Sequence, residues 1–344
     1  MTGHIGVVGR VLTDKAVMLN QRVGRFEDIN TDAIIPDYLF QALQAPEIRE
    51  RLVKLGYGAA QPNISPKLIA SVEIPLPPLE TQHRIASILG AYDDLIEVNR
   101  RRIAVLEEMA RGLFEEWFVR FRFPGHEAVP ILDTQDGPLP EGWTWGTLAD
   151  IGQASGKSLN PSAFPDETFA HYSLPAFDGG RSPVADQGSA IKSNKLHFDE
   201  PVVLVSKLNP RIPRVWFVPK TTEVRQLAST EFVPIKSNNG LPLAYVFAIV
   251  SGEQFRNRLV GMAGGTSTSH QRVKPKDILG TPVALAPRQL VMEAGEHLSP
   301  VYRLVVQLEA ANRSLAASRD LLLPRLISGQ LSVAEAEREL EEAA

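Results

Sequence analysis

Residues 64–78 read ISPKLIASVEIPLPP, and residues 273–287 read VKPKDILGTPVALAP. Apolar, lysine and proline positions of the two stretches agree at a constant offset of 209 residues. Upstream, at an offset of 207, Tyr38-Leu39-Phe40 lies over Tyr245-Val246-Phe247. Agreement over about 40 residues indicates that one structural unit occurs twice in the chain.

Each copy contains the same order of predicted elements: short β-like runs, a polar loop, a proline-rich corner and a long helical pattern. In the second copy the β-like runs lie at 202–205, 215–218 and 232–235, so residues 140–281 are predicted to form a mixed α/β domain. The overall prediction is an α+β fold. Two mixed α/β domains, the first of them partial, are separated by two long helices packed as an antiparallel coiled coil. Helices whose seams instead hold a separate protein are the alternative.

Both helical patterns repeat apolar residues at alternating spacings of three and four, which is typical of a coiled-coil seam. An asparagine in such a seam is expected to fix the register of the helices, unless it lies partly exposed at a bend. The first predicted seam comprises Ile85, Leu89, Tyr92, Ile96, Asn99, Ile103, Leu106, Ala110, Leu113 and Trp117. The second comprises Leu290, Ala294, Val301, Leu304, Leu308, Ala311, Leu315 and Leu322.

Each helical pattern is also predicted to contain a break. Gly90 marks the break in the first copy. At the corresponding place in the second copy, Pro300 is predicted to begin a new helix with Ser299 as its N-cap. The second helix is expected to stop near Pro324 and Gly329.

The composition of the 344-residue chain is that of a globular protein with two or three domains. Hydrophobic residues make up 44% and charged residues 22%, which argues against a disordered or collagen-like chain. The absence of cysteine excludes disulfides, thiolate metal sites and cysteine nucleophiles. The longest apolar run, 241–250, is too short for a membrane helix, and no signal peptide is apparent. We therefore expect a soluble, cytoplasmic protein.

Sequence motifs for catalysis or metal binding are not found. The glycines within 152–158 are one residue too close for a phosphate-binding loop, and the seven histidines are scattered. Neither Asn-Pro pair, at 160–161 or at 209–210, continues into the tetrad of a DNA methyltransferase. We therefore expect a binding protein without a metal site, with an enzyme of unrecognised pocket as the competing class.

Two polar stretches of the second copy are candidates for nucleic-acid binding. The net charge of the chain is −4, yet residues 140–281 carry more basic than acidic side chains. Hydroxyl, amide and cationic donors can reach phosphate oxygens and base edges, with Gln suited to adenine and Arg to guanine. A polar hairpin without a ligand is the alternative for each stretch. The candidates are Lys207, Asn209, Arg211 and Arg214 in one stretch, and Thr266, Ser267, Thr268, Ser269, His270, Gln271, Arg272 and Lys274 in the other.

Several motifs together resemble the specificity subunit of type I restriction-modification enzymes. The run at 74–82, followed by the long helix to Trp117, is similar to the central conserved region of that family. Residues 206–216 and 269–273 resemble its second target recognition domain, and 321–329 resemble its distal region. The resemblance divides the chain into a partial first target recognition domain (1–78), a central helical spacer (79–123), a linker (124–139), the second target recognition domain (140–287), a distal helical spacer (288–330) and an acidic tail (331–344).

The resemblance also implies a function. In that family, two target recognition domains read the halves of an interrupted double-stranded DNA site. The helices dock two modification subunits, which bind S-adenosylmethionine and methylate adenine, and restriction subunits join to cleave DNA. This chain would then hold no cofactor and catalyse nothing itself. A helical scaffold that binds only proteins is the alternative.

The first copy departs from the family pattern. Residues 1–73 match only the latter part of a first target recognition domain, and the offset indicates that about 65 residues are missing from it. We therefore expect that the first half-site is not read normally by this chain alone. The candidate DNA-binding residues of this copy are Asn20, Gln21, Arg22, Gln61 and Asn63.

Overall fold

The computed structural model describes residues 5–11, 15–56, 64–220, 224–264 and 271–343. These residues form helices and strands, as an α+β fold requires, and the two longest elements are helices, as predicted. They are divided into two compact units, Met1–Arg100 with Ala310–Ala344, and Arg101–Glu309. In the part of the chain that is described, no helix is long and apolar enough to cross a membrane.

The first unit is built from helices. Its elements are α1 (Pro36–Gln44), α2 (Pro46–Leu55), α3 (Pro66–Ala70), the first part of α4 (Leu79–Phe114), the last part of α10 (Arg288–Ile327) and α11 (Val333–Ala343). Its core consists of buried apolar residues of these helices, including Tyr38, Leu43, Ile48, Leu52, Ile85, Leu89, Leu323 and Leu326.

The β-like runs predicted for the first copy are not strands in the structure. Within the described residues of 5–78, helices α1 to α3 are joined by turns and irregular segments without a strand. A strand is stable only when it has pairing partners, and these residues offer none to one another. The prediction of a mixed α/β arrangement therefore holds for the second copy and not for the described part of the first.

A buried glutamine fixes the proline-rich corner of the first copy to the start of α4. Gln82 is fully buried. Its Oε1 accepts from the backbone N–H of Ile35 at 3.0 Å, and its Nε2 donates to the carbonyls of Ala33 at 2.9 Å and Pro77 at 2.8 Å. Because every polar atom of this amide has a partner, burial carries no penalty and the corner has one conformation.

The second unit is a mixed α/β domain, as predicted for residues 140–281. Its helices are the last part of α4, α5 (Leu148–Ile151), α6 (Leu174–Asp178), α7 (Leu243–Ser251), α8 (Glu253–Met262), α9 (Pro275–Leu279) and the first part of α10. A π-helical turn (Glu115–Val119) and short 3-10 helices (His126–Ala128 and Pro161–Ala163) complete the helical elements. Its strands are β1 (Ile131–Leu132), β2 (Leu139–Pro140), β3 (Thr144–Thr147), β4 (Gly152–Ala154), β5 (Lys157–Leu159), β6 (Thr168–Tyr172), β7 (Val184–Gln187), β8 (Lys195–Phe198), β9 (Val202–Ser206), β10 (Val215–Val218), β11 (Arg225–Ala228), β12 (Phe232–Ser237) and β13 (Pro282–Leu285).

Two larger sheets organise this unit. One has the strand order β10-β9-β12-β4 and is antiparallel, and the other has the order β5-β8-β11-β6-β7, with β11 and β6 parallel. Two small antiparallel pairs, β1-β2 and β13-β3, complete the strands. All five residues of β9 are buried, as a continuous apolar run between two neighbouring strands requires. In the register of β9 and β12, Phe232 lies opposite Ser206.

The predicted duplication is confirmed in the helices. Helices α1 and α2 correspond to α7 and α8 at an offset of 207, and their first and last residues coincide. Helices α3 and α9, and the first residues of α4 and α10, correspond at an offset of 209. The change of offset falls in the loop between the second and third helix of each copy, which is where the sequence comparison places it.

The predicted helix breaks are wrong. Helix α4 continues through Gly90, and α10 continues through Ser299, Pro300 and Pro324 to Ile327. Proline in a helix interior costs about 3 kcal/mol because one hydrogen bond is lost. Buried residues such as Leu298 on the turn before and Tyr302 on the turn after offset this cost by packing. The stop near Gly329 is correct, since Gly329 adopts a φ of +74° directly after the helix.

The long helices run antiparallel in both units. In the first unit Asn99 bonds Asn312 at 3.0 Å, and Asp93, one and a half turns earlier, pairs with Arg319. In the second unit the Trp117 ring lies 5.8 Å from that of His297. Arg181 bridges Glu107 of α4 and Glu309 of α10, with N–O distances of 2.6 and 2.7 Å. The antiparallel pairing predicted from the heptads is therefore confirmed.

The seam of α4 matches its prediction, because none of the ten predicted positions is exposed. In α10 the predictions of Leu304 and Ala311 are wrong: Leu304 is 42% exposed, with Val305 buried in its place, and Ala311 is exposed. Leu308, Leu315 and Leu322 are half-buried. The buried face of α10 runs from Leu298 through Tyr302 to Val305 at the helical period, which is one position away from the predicted seam.

Candidate nucleic-acid interface

Three chain segments of the second unit meet at one place, which we name the junction: residues 206–211, Glu231, and 271–274 with Gly264. Backbone hydrogen bonds tie them together. Asn209 N–H donates to the Gln271 carbonyl at 2.8 Å, and Val273 N–H donates to the Lys207 carbonyl at 3.0 Å. Lys207 N–H in turn donates to the Glu231 carbonyl at 2.8 Å. The junction is therefore a short continuation of the β9–β12 ladder with a third segment added to its edge.

Local sequence explains why the chain turns at this point. Asn209 has a φ of +48°, a left-handed conformation that Asn tolerates better than most residues. Its carbonyl accepts from Ile212 N–H at 2.9 Å, which closes a tight turn. On the strand side, Ser206 Oγ accepts from Leu208 N–H at 3.1 Å. The turn is thus fixed at both ends by hydrogen bonds.

The junction carries exposed positive charge. The side chains of Arg211, Arg272 and Lys274 are exposed, and Lys207 is half-buried. Arg272 is held at its base, because its backbone N–H and carbonyl exchange hydrogen bonds of 3.0 and 3.2 Å with Gly264. Its Nη2 donates to Glu231 Oε1 at 2.8 Å. The structure therefore brings together Lys207, Asn209, Gln271, Arg272 and Lys274 from the predicted set.

Arg214 occupies a different environment from the other predicted cations. Its Nε and Nη2 donate to the two carboxylate oxygens of Asp178 at 2.7 and 2.8 Å, and the side chain is only 13% exposed. The hydrogen bond from Arg214 lowers the pKa of Asp178 below its usual range. Because one whole edge of this guanidinium is committed to a carboxylate, Arg214 is poorly placed to contact a phosphate.

Arg225 is also paired with an acidic partner. It therefore adds less exposed positive charge to residues 140–281 than the number of basic residues there suggests. Its guanidinium pairs with Glu167 and lies 4.2 Å from the centroid of the Phe164 ring. That hydrogen bond lowers the pKa of Glu167. Arg214 and Arg225 each link two segments of the domain through an ion pair with a carboxylate.

Three buried polar atoms of the junction have no hydrogen-bond partner in the part of the chain that is described. They are Asn209 Oδ1, Gln271 Oε1 and Glu231 Oε2. The fourth such atom, His171 Nε2, lies elsewhere in the unit. An unpaired buried acceptor costs about 1–3 kcal/mol, so such a cluster is typical of a functional surface, where polar groups serve a ligand.

The remaining candidates lie apart from the junction or cannot be placed. Thr266, Ser267, Thr268, Ser269, His270, Gln61 and Asn63 fall outside the described residues. Asn20, Gln21 and Arg22 are exposed in a turn of the first unit, where Asn20 Oδ1 accepts from Arg22 N–H at 3.0 Å. Among the residues that the structure does describe, no cluster of His, Asp or Glu could hold a metal ion.

Sequence reasoning missed two acidic residues, Glu231 and Asp178. A search for cations ignores the carboxylates that orient them, and Asp178 lies 36 positions from Arg214. Glu231 had a usable signal. It directly precedes the predicted strand 232–235, and antiparallel pairing of that run with 202–205 would have placed it opposite Lys207.

Comparison with known proteins shows which proteins this chain is similar to. Residues 2–108 match the type I restriction modification DNA specificity domain. The chain is 24% identical over 317 residues to the type I restriction enzyme MjaIX specificity subunit of Methanocaldococcus jannaschii, covering 89% of this chain and 72% of that protein. It is 30% identical over 158 residues to the MjaVIII specificity subunit of the same organism, covering 45% and 36% of the two chains.

A solved structure shares the fold. The S subunit of a type I restriction-modification system from M. genitalium superposes with a TM-score of 0.53 at 16% identity, covering 87% of this chain and 74% of that one. Residues 2–108 of the chain match a DNA specificity domain, and the chain is similar over most of its length to a specificity subunit of a type I restriction enzyme.

Proposed function

We propose that this chain is the DNA sequence-recognition subunit of a type I restriction-modification complex. The observation that carries the proposal is the junction: a hydrogen-bonded turn that presents Arg272, Lys207 and Lys274 next to amide and carboxylate oxygens that have no hydrogen-bond partner among the described residues. Cations that approach phosphates and polar groups that approach base edges are the two components of sequence-specific binding. The matched specificity domain and the named relatives support the same function.

Roles within the junction follow from exposure and pairing. Lys207, Arg211 and Lys274 contact phosphates, which positions the domain on the duplex without reading sequence. Gln271 and Arg272 read base edges, assisted by His270 and by Asn209. Arg214 braces the domain through Asp178 instead of contacting DNA.

The partners follow from the family. Two modification subunits dock on this chain, bind S-adenosylmethionine and methylate adenine in a bipartite site, and restriction subunits join them. The chain itself holds no cofactor and performs no catalysis. What supports this assignment is the similarity to proteins named as specificity subunits of restriction enzymes.

The experiment that tests the function compares methylated bases, by single-molecule sequencing, in cells that express the modification subunits with and without this gene. We expect a sequence motif that is methylated only when the gene is present. Unchanged methylation would contradict the proposal and favour a scaffold that binds only proteins.

A further inference from the structure

A long, exposed arginine reads a base well only if its direction is fixed before DNA arrives, because ordering it on binding costs conformational entropy. We propose that Glu231 is a positioning residue for base recognition: it holds the Arg272 guanidinium in one orientation, so that the arginine distinguishes guanine at one position of the half-site. This inference rests on the proposed function and adds to it a specificity-determining residue and a base class.

Arg272 is anchored by its backbone and by one side-chain bond. Its N–H and carbonyl are both used by Gly264, at 3.0 and 3.2 Å, so its Cα is fixed. Its side chain is 60% exposed, and the one hydrogen bond of Nη2 goes to Glu231 Oε1 at 2.8 Å. The other guanidinium N–H groups make no hydrogen bond within the residues described, which leaves them for a ligand.

The backbone of Glu231 is held by hydrogen bonds. Its backbone carbonyl accepts from Lys207 N–H at 2.8 Å, and its N–H donates to Ser229 Oγ at 3.3 Å. The next residue, Phe232, is buried at the start of β12. The Glu231 side chain is 26% exposed, with Oε2 buried and unpaired in the described part of the chain. A largely buried carboxylate on a fixed backbone is a suitable partner for a charge-assisted hydrogen bond.

The pairing favours a base over a phosphate as the ligand of Arg272. A carboxylate next to a phosphate-binding cation repels the phosphate and weakens the contact. A base edge is uncharged, so the carboxylate does not repel it strongly. The carboxylate still orients the arginine. Guanine presents two acceptors, O6 and N7, in the major groove, and arginine is the side chain that matches both.

The Arg214–Asp178 pair shows how a purely structural arginine differs. There two N–H groups bind two carboxylate oxygens and the side chain is nearly buried. In the Arg272–Glu231 pair a single N–H is used and the arginine is largely exposed. The second arrangement orients the guanidinium and uses one of its N–H groups, so the others are available to a ligand.

The test uses the full chain assembled with its modification subunits. Methylation sequencing of the wild-type complex defines the half-site, and Kd values are then measured for duplexes in which each base pair of it is replaced in turn. The variants are Glu231→Ala, Glu231→Gln, Arg272→Ala and the double variant Glu231→Ala/Arg272→Ala. Glu253→Gln, which alters an exposed ion pair with Arg256 on α8, is the matched control.

We expect Glu231→Ala to lower discrimination about tenfold at a single G·C pair, the same pair that Arg272→Ala affects. Glu231→Gln keeps an acceptor oxygen and therefore restores part of this discrimination. The double variant is no worse than Arg272→Ala, because both changes remove one interaction. The control leaves every Kd unchanged.

Two results overturn the inference while leaving the proposed function intact. One is an unchanged discrimination profile in both Glu231 variants. The other is an equal loss of affinity for all duplexes in Glu231→Gln, which indicates a role in folding alone. If the wild-type complex shows no sequence preference at all, the proposed function fails, and this inference fails with it.

Discussion

The amide of Asn99 donates a hydrogen bond to Oδ1 of Asn312 at 3.0 Å, in the contact between α4 and α10 of the first unit. Asn99 is buried, so this pair is a polar layer at one place along the helices. Any sliding of one helix along the other would leave both amides without partners. The pair therefore selects one register, as a seam asparagine does in coiled coils.

Replacing one member of this pair should destabilise the protein more than replacing both. Asn99→Leu leaves the Asn312 amide without its partner, and we expect the free energy of unfolding to fall by about 1–2 kcal/mol. Asn99→Leu/Asn312→Leu should recover most of that loss or exceed the wild type, because two apolar side chains then meet. Urea denaturation followed by circular dichroism measures both. A double variant that is as unstable as the sum of two single losses would contradict the polar-layer interpretation.

Two glycines of the long helices provide a matched pair of tests for unbroken helices. A Cβ added at Gly90 meets no atom within 4 Å, so Gly90→Ala should raise the free energy of unfolding by about 0.5–1 kcal/mol. A Cβ at Gly295 would overlap Pro242 Cγ, and Gly295→Ala should lower the free energy of unfolding by about 1–3 kcal/mol. Thermal unfolding of both variants measures these changes in stability. A loss of stability in Gly90→Ala would show that the helix bends there after all.

The buried amide of Gln82 should contribute more to the free energy of unfolding than an exposed glutamine does. Gln82→Leu removes three hydrogen bonds and leaves the Ile35 N–H and the carbonyls of Ala33 and Pro77 unpaired. We expect a loss of about 3 kcal/mol or more in unfolding free energy. Gln307→Leu, at an exposed position of α10, is the control and should change stability by less than about 0.5 kcal/mol. Similar losses in the two variants would rule out the role assigned to Gln82.

The Asp178–Arg214 pair predicts a dependence of stability on pH. Because the folded-state pKa of Asp178 lies below its ordinary value of 3.8, the pair stabilises the domain above that pH. The contribution is lost as the pH falls through the lowered pKa. The difference in Tm between wild type and Asp178→Asn should therefore be constant near neutral pH and shrink below pH 3.8. A difference that grows with acidity would mean that the carboxylate is not held charged by Arg214.

The helical part of the fold could be predicted from the sequence because it depends on local periodicity. The heptads from Ile85 to Trp117 give the α4 seam, and the duplicated Pro-rich corners give the starts of α4 and α10. The partner of Asn99 could not be found in this way. Asn312 lies one position from the predicted seam residue Ala311, because the predicted phase of the second helix is one position away from its buried face.

The junction could be predicted only in part, because it depends on pairing between distant segments. The polar run around Lys207 and the loop ending at Arg272 were both found, since each is locally unusual. Their meeting, and the position of Glu231 between them, follow from strand register, which the sequence does not encode locally. The commitment of Arg214 to Asp178 is likewise a tertiary contact.

The central claim is that the junction binds DNA by charge and reads its sequence. The most direct measurement is the Kd of the assembled complex for its methylated motif and for a scrambled duplex, over a range of salt concentrations, with wild type and Lys207→Gln. We predict a preference for the motif of at least about a thousandfold. Lys207→Gln should weaken binding to both duplexes equally and reduce the salt slope by about one. Equal, salt-independent binding of both duplexes by the wild-type complex would contradict the account.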